Sequence, residues 1–223
     1  NVFAFFVRNS THDPLAWLLR CRSDALFESG EYRLAKSDSV CPEMKGARVH
    51  PWTCVGGVMR DLLGGSDGTN TNAGSLATLH VAVLGHVDHQ LLKPGSASHV
   101  CSELHSSLGF TPRGRWETVS EDAPEEERLY ANNQLAWCRA ANVAEHVRAG
   151  ITSDGAGGGK DKPTALPAGV ELAALGLGTS WLESRKGGAC PSHGESWREE
   201  PSCPEARRVD VLLRFGLRAE VRR

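Results

Sequence analysis

The sequence has little that would carry it across a membrane or onto a polyanion. The apolar run at its start, Val2 to Val7 ("VFAFFV"), is far shorter than the ~20 residues a bilayer requires. The formal net charge of −2 gives no bulk attraction to nucleic acid or to an anionic lipid surface. No signal peptide is recognisable. With Asn1 as its first residue, the chain is expected to be a processed or trimmed soluble piece whose targeting segment is not visible. The seven cysteines, at 21, 41, 54, 101, 138, 190 and 203, follow no C-x-x-C spacing, which argues against a zinc knuckle and against a thioredoxin-type redox motif. No nucleophile and base stand on a recognisable hydrolase framework, so no enzymatic activity is expected.

What is present is enough for one well-buried core. A chain of 223 residues, 40% hydrophobic and 23% charged, is read as a single domain spanning residues 1–223. Asp24 to Leu34 ("DALFESGEYRL") reads as a short strand entering a glycine turn. In "HPWTCVGGVMRDLLGG", Val55, Val58, Met59 and Leu62 recur at helical spacing before Gly64-Gly65, a helix weakened by Gly56 and Gly57. "ATLHVAVL" is a buried strand. Pro124 followed by three glutamates suits a helix start, and "ANNQLAWCRAANVAEHVRAG" places Ala136, Ala140, Val143, Ala144 and Val147 on one stripe before Gly150. "GVELAALGLG" and "ARRVDVLLRF" read as the last two strands. The order β-α-β-α-β-β is α+β, with helices packed on one face of a mixed sheet and long loop insertions.

Two short motifs invite chemistry and are set aside. "SDGAGGGKDKP" resembles a phosphate loop, but no strand precedes it and Asp161 follows the lysine where Ser or Thr is needed. "HVDH", His86 to His89, contains half of the H-x-H-x-D-H zinc pattern, yet its first histidine falls on Leu84, and nothing fixes the geometry of His99, Cys101 or His105 as further ligands. No metal and no cofactor are expected. The cysteine spacing leaves two readings open: seven reduced thiols, or disulfides closing the proline-containing segments Cys41 to Cys54 and Cys190 to Cys203.

Four motifs in order resemble those of the OmpA-like peptidoglycan-binding domain family, which includes the OmpA C-terminal domain, the peptidoglycan-associated lipoprotein and MotB. They are Gly85-His86-Val87-Asp88; Asn132-x-x-Leu135-Ala136-x-x-Arg139-Ala140; Gly176-Leu177-Gly178; and Ala206-Arg207-Arg208-Val209, preceded by "LFESG". The resemblance covers most of Ala25 to Phe215. Val87, Ala136 and Ala206 replace the family's threonine, serine and asparagine, and three segments are inserted, at about 91–124, 152–166 and 187–202.

The resemblance implies a non-catalytic envelope domain that grips the diaminopimelate side chain of the peptidoglycan stem peptide. Asp88 would take the ammonium and Arg139 the carboxylate, through a bidentate pair. Asn132 lies two helical turns before Arg139, and Arg207 and Glu28 would line the same pocket. The implied location is the periplasm of a diderm bacterium, with tethering by a segment outside this chain. An alternative on the same fold is an interaction module whose insertions bind an envelope protein partner. In such a compartment at least one disulfide is expected, foremost Cys190 to Cys203, with Cys138 left reduced on its helix.

Overall fold

The computed structural model describes residues 8–10, 13–22, 26–27, 33–34, 39–41, 46–63, 76–87, 101, 124–152, 165–178 and 207–217. The elements in chain order are β1 (Arg8–Ser10), β2 (Asp13–Arg22), β3 (Ser39–Cys41), β4 (Ala47–Val49), α1 (Pro51–Leu62), β5 (Leu76–His86), α2 (Glu125–Thr152), β6 (Val170–Gly178) and β7 (Arg208–Leu217). Five strands form one mixed sheet in the order β1-β2-β7-β5-β6, and β3 with β4 forms a separate antiparallel pair. β5 and β6 run parallel, joined through α2, while β7 is antiparallel to both β2 and β5. A parallel pair needs a long crossover, and α2 supplies it.

Strand alternation assigns one sheet face to the core. Cys21, Val81, Val83, Val209, Val211, Leu213 and Phe215 point to the helices and are buried among Ala140, Val143, Ala144, Val147 and Ile151 of α2 and Trp52 and Met59 of α1. The stripe of small residues on α2 lets the backbones approach closely. A Cβ at Gly85 of β5 would collide with the carbonyl oxygen of Ala136 and lie 3.3 Å from the Ala140 methyl. The two helices meet in the same way: a Cβ at Gly56 would stand 2.9 Å from the Gly150 Cα. Gly56, a weakness in an isolated helix, is thus the contact point that brings α1 onto α2.

α1 begins where expected. Pro51 occupies its first turn, and the His50 Nδ1 accepts the Trp52 N–H at 3.3 Å. α2 starts at Glu125, directly after Pro124 as expected, and a second side of it is also buried. Ala131, Leu135, Trp137, Cys138 and Ala141 form a separate apolar cluster with Cys101.

The first strand differs from its expected position. Between Asp24 and Leu34 the described residues show an isolated bridge, Phe27 with Leu34, and the strand that joins the sheet is Asp13–Arg22. Its pairing with β7 from Ala16–Arg214 to Arg22–Arg208 decides the matter. Leu19 and Cys21 face the core while Arg20 faces outward, a period-2 pattern that Pro14 and the two arginines obscure in the sequence. Of the three insertions, residue 101, residue 124 and the borders at 152 and 165–166 are described; the remainder lies outside the described residues.

The disulfides correct one expectation. Cys41 is bonded to Cys54, tying β3 to α1, and Cys101 is bonded to Cys138. Cys138, expected to stay reduced, lies in the second buried cluster of α2, where Cys101 meets it. Cys190 and Cys203 lie outside the described residues. Cys21 is buried and not disulfide-bonded, and burial pushes its thiol pKa up to about 11.

Candidate functional site

The sequence motifs converge at one end of the sheet, where the parallel strands β5 and β6 finish and β7 begins. The Val87 N–H donates to the Gly178 carbonyl at 3.2 Å, so the ends of the first and third motifs are joined directly. His86 pairs in register with Gly178 on one side and Arg208 on the other. Gly178 has a positive φ of 54°, and a Cβ there would strike the Asn133 amide oxygen of α2. The amino-terminal half of α2 therefore lies over the same sheet end. Carboxyl ends of parallel strands are where open α/β sheets place their ligands.

Arg139 of α2 is 5% exposed, and its guanidinium carbon lies 5.1 Å above the centroid of the Phe27 ring. Phe27, from the "LFESG" segment, is itself buried in the main core. Leu34, the bridge partner of Phe27, also meets α2, donating its N–H to the Asn142 Oδ1 at 3.2 Å. Asn132, seven residues before Arg139, is 2% exposed. Arg207 is half-buried just ahead of β7. Val87, where the motif has threonine, is buried and engages the site through its backbone. Asp88 and Glu28 lie outside the described residues, though each directly follows a described one, Val87 and Phe27.

A second polar group at this sheet end was not singled out from the sequence. Asp210 of β7, on the sheet face away from the helices, receives the Arg208 Nε at 3.0 Å and the Arg20 Nε at 3.0 Å. The His86 Nε2 lies 3.4 Å from the same carboxylate, longer than a well-formed hydrogen bond. His86, Arg208 and Asp210 are all buried. Burial works to raise the Asp210 pKa, but the polar contacts with His86 and Arg20 and the charge and hydrogen bond of Arg208 outweigh it and hold the carboxyl at about 2. The signal was there to read: "RRVDVLLR" alternates charged and apolar residues, so Arg208, Asp210 and Arg214 share one strand face.

The His86 Nε2 lies beside the Asp210 carboxylate and Cys101 is bonded to Cys138, while His89, His99 and His105 lie outside the described residues. Among the described residues no group of three or more His, Cys, Asp or Glu side chains is arranged to hold a metal ion. A further histidine pair marks the α1–α2 contact. The rings of His50 and His146 lie 4.5 Å apart, and the His146 Nδ1 is 3.1 Å from the Thr53 hydroxyl. Burial lowers the His146 pKa, against a smaller upward pull from Glu145.

No protein-family model matches the chain, and no curated protein is similar to it in sequence. Among solved structures it is similar to a MotB-like protein from Desulfovibrio vulgaris, with a TM-score of 0.40 and 16% identity over 95% of this chain and 82% of that one. It is also similar to the OmpA-like domain of FopA1 from Francisella tularensis, with a TM-score of 0.37 and 10% identity over 97% of this chain and 84% of that one. Among the described residues no helix is long and apolar enough to cross a membrane.

Proposed function

We propose that this chain is an OmpA-like, non-catalytic envelope domain that binds peptidoglycan through the diaminopimelate side chain of its stem peptide. The observation that carries the proposal is the meeting of sequence-distant motifs at one sheet end. Val87, which precedes Asp88, is bonded to Gly178; Asn133, the neighbour of Asn132 on α2, meets Gly178; and Phe27 of "LFESG" lies under Arg139. A diaminopimelate side chain ends in an ammonium and a carboxylate. An aspartate and an arginine that take its two ends satisfy both charges, whereas a lysine-type stem peptide leaves the arginine without that carboxylate. In this reading Asp88 takes the ammonium, Arg139 the carboxylate, and Asn132, Arg207 and Glu28 complete the lining. The domain works in the periplasm as a link between the cell wall and a membrane-held component.

The test is co-sedimentation with purified sacculi at low and high salt. Wild type should sediment and be released by salt. Asp88→Ala and Arg139→Ala should each lose about 2 to 5 kcal/mol of binding, which removes nearly all of a modest affinity, while circular dichroism shows the fold retained. Equal sedimentation of all three proteins, or of none at low salt, would defeat the proposal in favour of a module that binds a protein partner.

A further inference from the structure

The cation assigned to the ligand carboxylate is held by a device built from its own helix. Arg139 and Asn142 stand three residues apart on α2. Asn142 accepts the Leu34 N–H, Leu34 bridges to Phe27, and the Phe27 ring lies under the Arg139 guanidinium at 5.1 Å. The helix that carries the arginine therefore also anchors the segment that places an aromatic face beneath it. Phe27 is 5% exposed and its neighbour Leu26 is 2% exposed, so the ring is fixed by core packing.

We infer that Phe27 is a positioning residue for Arg139, and Asn142 for Phe27, and that together they set the preference for a ligand bearing a carboxylate at that point. The inference rests on the peptidoglycan reading above and assigns the part that enforces its selectivity. An arginine left to its rotamers spends most of its time out of line with a planar carboxylate. A ring face beneath the guanidinium restrains where its N–H fork can point, and the ring quadrupole favours the cation. Ordering the fork before the ligand arrives removes an entropic cost from binding.

The experiment measures the affinity of the full chain for two synthetic tripeptides, L-Ala-γ-D-Glu ending in meso-diaminopimelate or in L-lysine. Wild type should prefer the first. Phe27→Leu keeps an apolar side chain in the core but loses the ring face, and should weaken the diaminopimelate peptide about five- to thirtyfold while leaving the weak lysine peptide unchanged. Phe27→Tyr should restore the preference. Asn142→Ala, which leaves ring and core intact, should reduce the preference in the same direction, and it decides the question if Phe27→Leu does not fold. If wild type prefers neither peptide, the peptidoglycan reading and this inference fall together. If wild type discriminates but the folded variants keep the wild-type ratio, or lose affinity for both peptides alike, the positioning role alone is overturned.

Discussion

The two faces of the sheet use the same strands and are held by opposite means. On the helix side, Val81, Val83, Val209 and Val211 meet α2 with glycine at the tightest contact, and the fit is one of shape. On the other side, alternate residues of those strands place Arg20, His86, Arg208 and Asp210 together at one end, and farther along the surface leave Leu212 at 42% and Leu175 at 48% exposed. Close packing tolerates no added atom. An ionic network tolerates changes around it but not the loss of one member. The difference separates two buried arginines with different work: Arg208 holds the sheet end together, and Arg139, on the helix side, is the one proposed to meet ligand.

The comparison breaks most severely at Asp210. Asp210→Ala leaves two guanidinium groups facing each other beside His86 without their carboxylate, Arg208 being buried, and should destabilise the chain by about 3 to 5 kcal/mol in denaturant unfolding. Leu212→Ala, two residues along on the same face and 42% exposed, should cost under about 1 kcal/mol. Similar losses would mean that the charges contribute nothing beyond packing.

On the helix side the corresponding test is Gly85→Val. Its Cβ meets the Ala136 carbonyl, so α2 must move away from β5, at a cost of about 1 to 3 kcal/mol or more. A fully stable Gly85→Val protein would show that the helix and sheet are not in the contact described.

Smaller effects come from pH. Asp210 has a folded pKa of about 2, below its usual 3.8, so it contributes stability above about pH 4 that is lost as pH falls toward 2, about 2 kcal/mol in all. The lowered pKa of His146 acts at higher pH: the unfolded chain binds the proton better, so stability begins to fall as pH drops through about 6.5. Thermal unfolding should thus weaken in two steps on acidification. His146→Gln should remove the upper step and leave the lower.

Much of this arrangement was legible in the sequence. The strands at "ATLHVAVL", "GVELAALGLG" and "ARRVDVLLRF" and both helices lie where periodicity placed them, because each carries an uninterrupted apolar pattern. β2 was missed because Pro14, Arg20 and Arg22 mask its alternation, and the pairing with β7 that makes it a strand is about 190 residues distant. Cys41 with Cys54 was among the open pairings because the two are close in sequence. Cys101 with Cys138 was not, because that pairing depends on a second buried side of α2 that no local pattern announces. Arg139 and Asn132 were picked out by motif, but that they would be buried, with a phenyl ring under the arginine, depends on where the "LFESG" segment docks.

The most direct measurement sets the two buried arginines against each other. Arg139→Met and Arg208→Met each remove one guanidinium while keeping a long apolar stem. Sacculus binding is measured well below the melting temperature of both variants, and thermal unfolding alongside it. If Arg139 meets ligand and Arg208 holds the sheet, Arg139→Met unfolds cooperatively but no longer binds, while Arg208→Met melts earlier and still binds. An Arg139→Met protein that binds like wild type, or a folded Arg208→Met protein that has lost binding, would contradict the division of the molecule on which the account rests.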